Sequence, residues 1–171
     1  RKPWHLLYIS TMRKKGEEAK KRSDEILTHA AAILEKADHL SKIEKLVTKA
    51  EKKFGFSVNC VSGVVMERNS ILNLAVIHKR HKVAKWLIEK KHADIESCDR
   101  GNFTPLMNAA WEGDKYMVRY LLTKGANRRK VGTGHSSQKL APASFKGMNS
   151  EGWARKRGHE SLANLIRLGL S

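Results

Sequence analysis

Asn102-Phe103-Thr104-Pro105-Leu106-Met107-Asn108-Ala109-Ala110-Trp111-Glu112-Gly113-Asp114-Lys115-Tyr116-Met117-Val118-Arg119-Tyr120-Leu121-Leu122-Thr123-Lys124-Gly125-Ala126 reads as a turn, a short helix, a tight turn and a second helix. Thr104 is a good N-cap and Pro105 follows it in the first turn, where a missing N–H leaves nothing unsatisfied. Leu106, Ala109 and Ala110 recur at helical spacing, and the two alanines admit a close neighbour. Gly113 ends that helix, since the position beyond a helix C-terminus favours a residue free to take positive φ. Met117, Val118, Leu121 and Leu122 form the apolar stripe of the second helix, closed by Gly125. Two helices this short cannot bury their faces alone, so the unit predicts stacked neighbours.

This order of elements resembles one ankyrin repeat. Weaker copies flank it. Leu72-Asn73-Leu74-Ala75-Val76 lies 34 residues before Leu106 to Ala110. Val83, Trp86, Leu87 and Ile88 supply its second helix, with Trp86 expected in the core. Here Lys79-Arg80 replaces the family's Gly-His pair, and His92 stands where glycine is usual. Downstream, Trp153 to Glu160 with Leu162, Ala163, Leu165 and Ile166 resembles a last, capping repeat, with Arg155 in place of the second alanine. The resemblance implies an all-α, short ankyrin-type solenoid of helical hairpins with a helical N-terminal extension.

Further upstream the likeness fades. Ser41-Lys42-Ile43-Glu44 is a capping-box pattern ahead of Ile43, Leu46, Val47 and Ala50, predicting a helix from about 41 to 53. Residues 24–59 are either a degenerate first repeat or a plain helical hairpin capping the stack. Residues 12–37 are rich in Lys, Glu and Ala and predict one long helix. We therefore expect a basic arm at 1–23, a helical cap or degenerate repeat at 24–68, and repeats over 69–171. Arg1 to Thr11 holds Pro3, Trp4, Leu6, Leu7, Tyr8 and Ile9, an apolar patch that either docks elsewhere or folds back over the stack. Because the chain opens on Arg1, a trimmed or processed product is expected.

The chain has 171 residues, 34 Lys or Arg against 17 Asp or Glu, and a formal net charge of +17. That excess is more than solubility asks of a small domain and favours a polyanionic neighbour. Arg13, Lys14 and Lys15 lie in a basic N-terminal stretch, and Lys79 to His92 form a second. No apolar run reaches the length of a membrane span. Two cysteines, Cys60 and Cys98, make no disulfide framework, so an intracellular reducing compartment is expected, whether cytoplasm and cytoskeleton or mitochondrial matrix.

Ala109 and Ala154 are 45 residues apart, well beyond one repeat period of 34. The surplus falls in 128–148, a Gly, Ser and basic-residue segment that predicts an extended surface loop. Arg128, Arg129, Lys130, Lys139 and Lys146 are its candidate contacts to phosphate or acidic side chains. Chemistry is poorly represented. Gly132-Thr133-Gly134-His135-Ser136 lacks the lysine and spacing of a phosphate-cradling loop. His78 and His81 find no second pair to complete a metal site with Cys98. No nucleophile stands beside an organised base, so we expect no enzyme, cofactor or metal.

If the resemblance holds, partner contacts come from the concave face built by finger loops and first helices. Carried over position by position, that face offers Arg100 and Phe103, then Asn108, Trp111 and Glu112, with Ile77 and His78 before them and Trp153 after. Trp111 is the expected anchor. The function implied is non-catalytic protein–protein binding inside a larger assembly, with basic segments on an acidic partner such as a tubulin lattice or other polyanion. The alternative is a protein contacting the RNA backbone in a ribonucleoprotein such as a specialised mitochondrial ribosome, by phosphate contact without sequence readout.

Overall fold

A computed structural model describes residues 4–36, 40–60, 69–99, 101–132 and 147–169, with side chains from residue 14 onward. The described residues form eight helices in four antiparallel pairs: α1 (Trp4–Lys36) with α2 (Leu40–Phe54), α3 (Ile71–Ile77) with α4 (His81–Lys91), α5 (Pro105–Trp111) with α6 (Lys115–Thr123), and α7 (Ser150–Lys156) with α8 (Glu160–Leu168). The pairs stack in chain order, with α1 against α3, α3 against α5 and α5 against α7. This is the all-α helical-hairpin stack that the 102–126 unit predicts.

The three short first helices start with the same device. Ser70, Thr104 and Asn149 accept hydrogen bonds from the backbone N–H groups of Asn73, Met107 and Gly152. Each satisfies an amide that the first turn would otherwise leave open. The core runs through the stack as one apolar cluster: Leu27, Ala30 and Leu34 of α1, Ile43 and Val47 of α2, Leu72 and Ala75, Val83 and Leu87, Leu106 and Ala109, Val118 and Leu121, Ala154 and Ile166. Small residues at Ala75, Ala109 and Ala154 are fully buried, which lets successive first helices approach closely.

The missing glycines of the second pair do not cost it its turns. Lys79 and His92 take φ of 55° and 51°, the left-handed conformation that Gly113 and Gly125 adopt in the third pair. A side chain there costs about 1 kcal/mol relative to glycine. His92 is exposed, so His92→Gly is expected to raise stability by about 1 kcal/mol. Urea denaturation followed by circular dichroism checks this.

One expectation needs correction. The helix predicted from 41 begins at Leu40, so Ser41 lies within its first turn and does not cap it. The backbone of Trp4 to Ile9 is continuous with the rest of α1, which runs unbroken across residue 23. Exposed Lys and Glu side chains occupy α1 from Lys14 to Lys21, with Arg22 paired to Glu18 one turn earlier at 3.8 Å. Burial begins at Ile26.

One element had no sequence signal: Val131–Gly132 (β1) pairs antiparallel with Met148–Asn149 (β2), Val131 facing Asn149 and Gly132 facing Met148. This two-residue clasp leads into α7 and sets Gly132 against Met107 and Phe103, where an added Cβ would crowd the Met107 Sδ at 3.0 Å and the Phe103 ring at 3.3 Å.

Candidate protein-interaction surface

The C-terminal ends of α3, α5 and α7 form a row tied together by cations. Lys79 Nζ donates to the Glu112 carbonyl at 3.0 Å, and Arg157 Nε donates to the Trp111 carbonyl at 3.4 Å. Both carbonyls belong to the end of α5, where the helix dipole favours positive charge. Ile77, His78, Trp111 and Glu112 are half-buried along this row, and Lys156 and Arg157 are exposed. Trp111 sits edge-on to Trp153 at 5.5 Å and to Phe103 at 6.5 Å, with the Arg157 guanidinium 4.8 Å above its ring. The Trp111 ring is thereby held rigid between an aromatic wall and a cation.

Three residues expected on the contact surface are interior instead. Phe103 is 0% exposed, Trp153 1% and Asn108 3%. The Phe103 and Trp153 rings lie 4.7 Å apart, tilted by 44°, and share a cluster with Met107. The Trp153 Nε1 donates to the Met148 carbonyl at 3.1 Å. Burial accompanies the clasp, which swings Met148 and α7 onto the Phe103 side of α5. These residues support the surface from beneath. Asp99 is also buried; its carboxylate accepts from the N–H groups of Gly101 and Phe103 at 2.8 Å and so shapes the finger turn. Arg100 lies outside the described residues.

Positive charge is divided between internal and outward roles. Lys130, expected to contact an outside anion, is half-buried and donates to the Glu96 carbonyl at 3.0 Å, with the Glu96 carboxylate 3.5 Å away. Burial pulls its pKa down, but the Cys98 thiol and Glu96 more than compensate, and the ammonium ends above its ordinary value. Lys91 pairs with Glu51 at 2.5 Å and Lys124 with Glu89 at 3.1 Å. The Lys124 ammonium, followed by the Tyr120 hydroxyl, holds Glu89 below the usual carboxylate range. Arg80 reaches across to cap α1, donating to the carbonyls of Leu34 at 2.5 Å and Glu35 at 2.9 Å. The departure from Gly-His at 79–80 thus has a structural use on both residues.

Arg129 is exposed, and Arg128 is half-buried with its guanidinium packed against Gly169 at the end of α8. Both arginines line a small cleft of about 220 Å³ with Asn149, Glu151, Ile166 and Arg167. Arg167, from α8, has no likeness to the loop in sequence and was missed; only the return of the chain through the last pair brings it there. Ser150 Oγ donates to the Arg128 carbonyl at 3.3 Å and fixes the cleft's edge. Lys14 and Lys15 are exposed on α1. The Arg13 side chain and all of Lys139 and Lys146 lie outside the described residues. Trp86 is only half-buried, with Lys91 Nζ 5.6 Å from its ring centroid.

Among the described residues no helix is long and apolar enough to cross a membrane, and no cluster of three His, Cys, Asp or Glu could hold a metal ion. A comparison with curated proteins finds no matching sequence. The family model for ankyrin repeats matches three copies over residues 24–130, which takes in α1 from Asp24 onward, α2, and the second and third pairs. Ankyrin repeats are protein–protein interaction modules and generally non-catalytic. Over more than half its length, then, in sequence as in the stacking of its helix pairs, this chain belongs to the ankyrin-repeat family.

Proposed function

We propose that the chain is a binding scaffold within a larger assembly, and that the row Ile77, His78, Trp111, Glu112 contacts a protein partner, with the arginine cleft on an acidic part of it. The observation that carries this reading is Trp111. It is half-exposed yet immobilised by Phe103, Trp153 and Arg157. A large ring that loses little freedom on binding is the kind of residue on which interface energy concentrates.

Trp111→Ala is expected to weaken capture of the native partner by tenfold or more, about 1.4 kcal/mol or greater, while the helical circular dichroism stays unchanged. Unaltered capture by a folded variant would remove Trp111 from the interface. Pull-down from the native source with and without nuclease addresses the acidic partner. Retained protein partners support the scaffold, whereas their loss after nuclease treatment favours the ribonucleoprotein alternative.

A further inference from the structure

We propose that the groove between α1 and α2, on a face that none of the described helix pairs covers, receives an acidic amphipathic helix of a protein partner. This rests on reading the chain as a module for an acidic partner, but it uses residues distant from Trp111 and the arginine cleft.

The groove is open, about 540 Å³, and lined by His29, Ala32, Ile33 and Lys36 of α1 and by Lys42, Lys45, Leu46 and Lys49 of α2. Both sets follow the i, i+3, i+4, i+7 spacing of one helix face, so two ridges of equal length flank a channel about 10 Å long. Ile33 and Leu46 are partly buried against the core and form an apolar floor. Four lysines make the rims, and none of them forms an ion pair among the described residues.

The fourth helix pair is finished differently. There Arg155 pairs with Glu151 at 3.2 Å and Glu160 at 3.0 Å, and its guanidinium also donates to Asn164 at 3.4 Å. Arg155 is thus neutralised within its own helix pair, whereas the α1–α2 groove presents four ammonium groups with no ion pair among the described residues beside partly buried aliphatic side chains. Like charges this close raise each other's energy, and an anionic occupant relieves that repulsion.

The chemistry selects among occupants. A second copy of a chain carrying +17 brings charge of the wrong sign, as does the basic stretch before residue 23. An RNA backbone would satisfy the lysines but has no use for Ile33 and Leu46, and no Phe, Tyr or Trp lines the groove for bases to stack on. A helix with a Leu or Ile stripe and flanking Glu or Asp satisfies floor and rims together. Two turns of it fill the channel.

The test uses the whole chain and a fluorescein-labelled peptide of about 14 residues, with leucines at i, i+3, i+4 and i+7 and glutamates on both flanks, read by anisotropy. We expect saturable binding that falls about tenfold or more in the double variant Lys45→Glu, Lys49→Glu. It is expected to stay within twofold in Trp111→Ala. If the double variant has lost its helical circular dichroism, Lys45→Gln with Lys49→Gln serves instead, with a several-fold loss expected. Equal binding of a scrambled peptide of the same composition would overturn the proposal, as would tighter binding of an oligouridylate of equal charge through the same lysines. The Trp111 interface is tested separately by partner capture, so failure here leaves that reading standing.

Discussion

Trp153→Ala is expected to lower stability by about 3–5 kcal/mol, the cost of removing a fully buried large aromatic. Trp153 contacts Phe103 and Trp111 and anchors its indole N–H on Met148, so the deletion opens a cavity between the third and fourth pairs. Among the described residues the fourth pair packs against one neighbouring pair and has no other large aromatic. It should therefore loosen first, giving early hydrogen exchange in α7 and α8 before the rest of the stack unfolds. Urea denaturation and residue-resolved exchange read both effects. Trp153→Phe should recover much of the loss by refilling the contact with Phe103. A cost below about 1 kcal/mol for the alanine variant would contradict interior packing and return Trp153 to the contact surface.

Arg80→Ala carries the second-largest expected effect, about 2–3 kcal/mol. The Arg80 guanidinium serves two carbonyls at the C-terminus of α1, where hydrogen bonds to a charged donor are worth more than neutral ones. Deleting it leaves those carbonyls without their cap and removes a favourable charge from the helix end. The loss should concentrate in α1: faster exchange from Ile26 to Lys36 and increased proteolysis there, with α5 to α8 protected as before. Arg80→Lys keeps the charge but not the fork that reaches both carbonyls, and should fall between the two. Uniform destabilisation across all four pairs would show that Arg80 does not act through α1.

The third pair was legible because its signals are local. Thr104 capping Met107, Pro105 behind it, Gly113 at φ 68° and the apolar spacing of α6 each act within one or two turns. The second pair was legible from Leu72 to Val76 and from Val83, Trp86, Leu87 and Ile88, even with glycine replaced at two turns. Which side chains face outward was not, since that depends on partners far along the chain. Phe103 and Trp153 stand where the resemblance placed contact residues, and their burial accompanies a clasp of two residues too short to leave a periodic pattern. The groove lysines read as an ordinary charged helix face until α1 is laid beside α2. Likewise Arg167 meets Arg128 and Arg129 only because α8 returns to the loop.

The β1–β2 clasp makes the fourth pair independent of what is threaded between Gly132 and Gly147. Its two strands meet Val131 to Asn149 and Gly132 to Met148, so the entry and exit of the intervening segment are fixed side by side at ordinary strand separation. Lengthening a segment with fixed ends changes its closure free energy only logarithmically, roughly 0.6 kcal/mol for each doubling. The position is therefore a natural graft site: a different sequence, or a small folded domain with neighbouring termini, can be carried there without altering the spacing of the helix pairs.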